Sequence, residues 1–274
     1  MKRTILTAII ILFATTSLLA QSGKCGAEGD GSNLTWNLDA KGVLTISGSG
    51  AMADYGYILD DEDAAAPWLK HQSALKHLVI NEGITYIGKS AFADCHNFKG
   101  NLTIPNSVVT IGDHAFFYCD GFNGNLTIGT SVKEIGVEAF YNCEKLWGNL
   151  TIPNSVETIG ARAFVFCENL SGNLIIPNSV KIIEAAAFEG CVGFNGSLTI
   201  GNSVEEIEGW AFYNCAGFTG DLIIPNSVVT IGEKAFEGCE GFTGSLIVSN
   251  PSTKIGKKAF SRCKGFVDSS ITLD

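Results

Sequence analysis

Histidine is scarce in this sequence, with four residues in 274, and none has a repeated partner at triad or metal-ligand spacing. No Ser-His-Asp set and no glycine-rich phosphate loop after a strand is present, and the carboxylates (Glu134, Glu157, Glu205, Glu206) scatter instead of converging. General acid–base chemistry needs groups gathered at one open cleft, so an enzyme is not expected, and no cofactor or metal is implied. Basic charge is short too: 18 Lys and Arg stand against 28 Asp and Glu, a formal charge of −10. That balance argues against nucleic acid and against an anionic membrane surface as partners. Beyond the first residues no apolar run is long enough to span a bilayer.

Residues 1–20 read as a secretory signal peptide. Lys2 and Arg3 start it, an apolar stretch follows to Ala20, and cleavage fits after Ala20 or after Ser22. A secreted protein with no membrane span after cleavage is expected. Cys25 is a poor lipidation site, because Lys24 directly precedes it.

What the chain has in quantity is repetition. Cys95, Cys119, Cys143, Cys167, Cys191, Cys215, Cys239 and Cys263 follow one another at a single constant interval, and only Cys25 lies outside the series. Eight coils therefore run from 77 to 268. Within each coil the apolar residues recur in columns: Leu at the second position, Ile or Val at the fourth, Ile at the eleventh, Ala-Phe at the fifteenth and sixteenth, Cys at the nineteenth, Phe or Leu at the twenty-second. One coil cannot bury so short a core, whereas stacked coils can. Leu-x-Ile has the period of a strand, ended by Pro105, Pro153, Pro177 or Pro225. Val-x-x-Ile makes a second extended segment. Ala, Phe and Cys at i, i+1 and i+4 suit one face of a helical turn. The expectation is a right-handed α/β solenoid of short parallel strands, about 4.8 Å from coil to coil, with one short helical turn per coil. Residues 21–76 read as a cap containing a hairpin, Leu34 to Leu38 and Val43 to Ser47 joined through Gly42, and residues 269–274 as a terminal partial strand around Ile271 to Leu273.

The pattern L-T-I-P-N-S-V-x-x-I-G-x-x-A-F-x-x-C-x-x-F/L, complete in residues 102–122, resembles the BspA-like leucine-rich-repeat family of bacterial surface proteins. The cap motifs, Asn33 to Trp36, Leu44 to Gly48, Gly50 to Met52 and Ala66 to Trp68, resemble that family's cap. The resemblance implies a leucine-rich-repeat solenoid exposed on or released from a bacterial cell. It further implies an adhesin-like role, contacting host extracellular matrix or cell-surface proteins. A self-assembling surface protein and a glycan-binding module are the alternatives. The family fixes no contact residues by motif, so none is transferred.

Several columns invite a functional reading. Equivalent cysteines point in parallel along the stack, which favours buried free thiols over disulfides and disfavours a zinc site, whose ligands must converge. Cys25 is then an unpaired thiol or an intermolecular link. The run Asp60 to Asp63 lacks the alternation and glycine of a calcium loop. Position 17, on the helical reading, faces solvent, yet it holds Phe117, Tyr141, Val165 and Tyr213, with Tyr118 and Phe166 beside it at position 18. Such a stripe is either a partner-binding surface or ring-to-ring contact along the rod. Trp147 and Trp210 are further candidates on other columns. Lys254, Lys257, Lys258, Arg262 and Lys264 in the eighth coil form either a basic patch or, with Pro251, an edge unfriendly to strand addition. Asn33, Asn101, Asn125, Asn149 and Asn195 stand in Asn-x-Thr/Ser triplets, a by-product of the repeat in a bacterial chain.

Overall fold

A computed structural model describes residues 20–56 and 64–269. The expected signal peptide, the acidic run at 60–63 and the strand at 271–273 lie outside the described residues.

The chain begins with a meander: β1 (Gln21–Lys24), β2 (Leu34–Leu38) and β3 (Val43–Gly48) pair antiparallel, with Leu34, Trp36 and Leu38 turned inward. The expected hairpin is present, with one further strand on its outer edge. Gly42 sits at φ 86° in its turn, a region that suits glycine. β3 pairs in parallel with β5 (His77–Ile80), and β4 (Gly50–Ala51) pairs in parallel with β6 (Ile84–Ile87). The cap thus supplies both strand edges on which the first coil builds.

From there each coil repeats the last. Positions ten and eleven, whose second residue is Ile in every coil, make a parallel sheet that runs from β4 to Lys254–Ile255, nine strands wide among the described residues, without a register slip after β6. Leu-Thr and Leu-Ile pairs at positions two and three form a second, interrupted ladder. Between the two runs, Pro-Asn-Ser-Val closes a turn in which the Val108 N–H donates to the Pro105 carbonyl. The serine hydroxyl then donates to the previous coil, as from Ser155 to the Val132 carbonyl at 2.6 Å. The Asn-Ser pair, present in five of the eight coils, therefore both turns the chain and bonds adjacent coils.

The segment from positions 12 to 19 corrects the expected helical turn. Positions 14 and 18 carry positive φ in coil after coil: His114 and Tyr118, Glu138 and Asn142, Arg162 and Phe166. Each follows a residue of ordinary φ and precedes an i→i+3 bond, as in Ala115 N–H to Gly112 and Cys119 N–H to Phe116, which defines consecutive type II turns. The N–H groups at 14, 16 and 18 point along the rod to the next coil's carbonyls at 13, 15 and 17, at 2.8 Å from His114 to Val137 and from Phe116 to Ala139. Every second amide is thus spent between coils, which a helix would not permit.

Inside, the columns become ladders. The position-16 phenylalanines stack from Phe92 to Phe260 with ring centroids 5.1–5.4 Å apart and planes within 13°. Trp68 from the cap lies on Phe92 at 5.3 Å, while its indole N–H donates to the Ala91 carbonyl, so the cap ends the stack with a ring of its own. All nine cysteines are free and buried, as expected for the ladder, and Cys25 is packed in the cap core. Seven thiols donate to the position-16 carbonyl of the preceding coil at 2.9–3.2 Å. A small apolar side chain with one weak donor fits this site. Burial pushes the thiols up, to about 12 at Cys167 and Cys263 and well beyond the ordinary range at Cys119, Cys143, Cys191, Cys215 and Cys239.

Candidate binding surface

The type II turns stack into a ridge that carries positions 13, 14, 17 and 18 outward. On coils two to four this ridge gathers aromatic rings. Phe117 meets Tyr118 at 4.6 Å and Tyr141 at 5.1 Å, Tyr118 meets Tyr141 at 5.5 Å, and Tyr141 meets Phe166 at 6.0 Å. Phe166 is exposed, and the other three are half-buried. Position 17 is less open than a helical wheel implies, because a turn residue there leans on its neighbours in the next coil. Val165 is buried outright. Ring-to-ring contact along the rod and an outward aromatic surface are both present in one cluster.

Beside the rings runs a charged row at position 14. His114 Nε2 lies 3.3 Å from Glu138 Oε2, and Arg162 Nη1 donates to Glu138 Oε1 at 3.1 Å. These pairs are partly exposed and modest in energy, but they fix the flank of the cluster. Desolvation, with Tyr118 nearby, raises the Tyr141 phenol above its ordinary range. Where the ridge meets the cap, Tyr55, Lys89, Ser90, His114, Phe117 and Glu138 line a recess of about 440 Å³.

The remaining candidates lie elsewhere. Tyr213 occupies the same column in coil six, beyond Glu189 and Gly190 of coil five, and no ring contact joins it to the cluster among the described residues. Trp210 sits on position 14 of coil six with Lys234 Nζ 5.9 Å from its ring centroid. Trp147 is at position 23, another corner of the coil, where its N–H donates to the Asn123 carbonyl. His71, half-buried, packs on Trp36 with centroids 6.1 Å apart, and desolvation lowers its basicity.

One surface was missed in the sequence. Position three faces outward from the Leu-Thr ladder, and Val79, Ile175, Ile223 and Ile247 are 40–57% exposed there, among threonines. Shallow grooves of about 500 and 340 Å³ lie along it, lined by Asn, Thr, Ile and Pro. The signal was available, since β-branched apolar residues alternate with Thr at a position of the wrong parity for the core. No aromatic ring lines these grooves.

A sequence model described as the BspA type leucine-rich-repeat region matches residues 69–195 and 166–272, in six copies. The chain belongs to the BspA-type leucine-rich-repeat family. This BspA-type chain is also similar to a leucine-rich repeat protein of Eubacterium ventriosum, 22% identical, over 92% of this chain and 85% of that one, with a TM-score of 0.47. It is similar to a leucine-rich repeat protein of T. pallidum, 21% identical, over 87% and 90%, TM-score 0.48. A leucine-rich cell surface protein of Faecalibacterium prausnitzii is 18% identical over 88% and 94%, TM-score 0.39. No curated protein matches the chain. Among the described residues no helix is long and apolar enough to cross a membrane, and no group of His, Cys, Asp and Glu could hold a metal ion.

Proposed function

We propose that this BspA-type chain is a secreted or cell-surface binding protein, an adhesin-like module that contacts host matrix or another cell's surface protein through the aromatic ridge of coils two to four. The observation that carries the reading is the contiguous set Phe117, Tyr118, Tyr141 and Phe166 on an outward ridge. Clustered aromatic rings beside a fixed charged row are the composition of interface hot spots. The ridge is also pre-organised. Its backbone is bonded to both neighbouring coils, so little ordering is left to oppose binding. The recess at its cap end can receive one side chain of the partner.

The test is surface binding of residues 21–274 to immobilised fibronectin, fibrinogen and collagen, beside the variant Phe117→Ala/Tyr118→Ala/Tyr141→Ala. A single hot-spot ring is worth about 2 kcal/mol, or roughly thirtyfold, so the triple change weakens binding by at least that much. Tyr213→Ala, Trp147→Ala and Trp210→Ala each leave binding within about threefold, since they stand off the cluster. Binding that survives the triple change moves the site off the ridge; no binding by the unaltered protein to any of the three removes the matrix reading.

A further inference from the structure

The eighth coil breaks the charge pattern of the other seven. The first coil is neutral and the second to seventh each carry a net negative charge, whereas residues 245–268 hold five basic residues and one acidic one. The structure separates the two readings of those cations. Only Lys254 lies in a strand, Lys254–Ile255, at the outer side of the nine-stranded sheet, where a lysine discourages further pairing. Lys257, Lys258 and Arg262 stand instead at positions 13, 14 and 18, on the turn ridge, and Lys264 follows at position 20. Lys258 and Arg262 also stand where the ridge N–H groups meet no further coil among the described residues, so edge protection can extend to them, but it does not account for Lys257 and Lys264.

All five are exposed. Arg262 is paired with Glu240 at 3.1 Å, while Lys254, Lys257, Lys258 and Lys264 have no ion-pair partner among the described residues. Lys234, at position 14 of coil seven, extends the row toward Trp210 and is held by Glu237 at 3.9 Å. In coils three and five the exposed lysines are matched, as Lys133 with Glu157 and Lys181 with Glu205, both at 3.2 Å, whereas the other exposed lysines without an ion pair among the described residues (Lys41, Lys70, Lys76, Lys89 and Lys99) lie at the opposite end, in the cap and first coil. The acidic majority of the chain does not cancel this patch at a distance. Screening acts over about 8 Å at physiological ionic strength, less than the rise of two coils.

We propose that the eighth-coil ridge binds a sulfated polysaccharide. Four of the five cations are lysines, point charges that suit dispersed sulfates better than the paired oxygens that arginine clamps. No exposed aromatic ring lies on this coil among the described residues, so stacked bases have no platform. A rigid, densely charged duplex would also run onto the acidic sixth and seventh coils. A flexible chain can engage one coil alone. This site is separate from the aromatic ridge and stands or falls independently of it.

The experiment is elution of the full secreted chain from immobilised heparin against NaCl, with desulfated heparin and duplex DNA as competitors. Heparin retains the chain at low salt, desulfated heparin fails to compete, and DNA competes more weakly than heparin. Lys257→Gln/Lys258→Gln weakens binding by roughly tenfold or more, and flattens the log–log salt dependence by about 1.4 for two lost contacts. Lys133→Gln/Lys181→Gln removes the same charge from the sheet face and leaves the elution unchanged. Circular dichroism of both variants separates lost binding from lost fold. No retention at low salt, equal loss in the sheet-face variant, or stronger competition by DNA overturns the proposal.

Discussion

Between pH 8 and pH 10, in reductant, the solenoid is expected to lose most of its stability. The cause is the cysteine ladder. In the fold, burial pushes the thiols up, to about 12 where the shift is smallest, whereas an unfolded cysteine ionises near 8.5. A thiol raised in this way contributes stability that is complete below the unfolded value. That stability is lost as pH rises from there toward the folded value, because only the unfolded chain can release the proton. By pH 9.5 each thiol favours unfolding by about 1.4 kcal/mol. Nine such groups together amount to on the order of 10 kcal/mol, as large as the net stability of an ordinary domain. Tyr55 and Tyr86 are also raised, chiefly by desolvation, and act in the same direction at higher pH. Thermal melts at pH 7.5, 8.5 and 9.5 should fall by roughly 20 °C or more across the series. A melting temperature that is level through pH 9.5 would contradict the buried thiol ladder.

The second large effect concerns the phenylalanine stack. Phe164 is fully buried between Phe140 and Phe188, with centroids at 5.2 and 5.3 Å. Its replacement by Ala removes a ring from the middle of a one-dimensional array, and neither neighbouring coil can close the gap without breaking the bonds at positions 14, 16 and 18. Phe164→Ala should cost about 4 kcal/mol. Phe260 stacks on Phe236 alone among the described residues, so Phe260→Ala should cost about half as much. Urea unfolding at pH 7 measures both. Equal losses, or a loss below about 1 kcal/mol at Phe164, would mean that the rings do not couple the coils.

The period, the columns and the cap were legible in the residues because a solenoid writes each core position once per coil. Leu102, Ile111, Phe116 and Cys119 recur at fixed intervals, and no long-range information is needed to place them inside. The backbone of the ridge was not legible. Ala115, Phe116 and Cys119 have helical spacing, and position 14 holds Ser, His, Glu, Arg, Ala, Trp and Lys, with no glycine to advertise positive φ. What selects type II turns is the bonding of alternate amides to the next coil, a full repeat away along the chain. The same reason hid the thiol donors: Cys119 reads as small and apolar, and its Phe92 carbonyl partner appears only once the coils stack. Of the site, the rings of coils two to four were visible as a column, and Glu189 with Gly190 already marked its break before Tyr213. That Trp147 stands on another column was legible as well, whereas the corner that column occupies was not, since it depends on the turn geometry.

The most direct measurement of the central claim, that the aromatic ridge is the face this BspA-type chain offers to a partner, is oxidative footprinting of residues 21–274 alone and with whichever matrix protein it binds. The account expects protection at Phe117, Tyr118, Tyr141 and Phe166, with Trp147, Trp210 and Tyr213 oxidised equally in both states. Protection confined to Trp147, or to peptides carrying Ile175 and Ile223 on the strand face, with the four ridge rings unchanged, would contradict it.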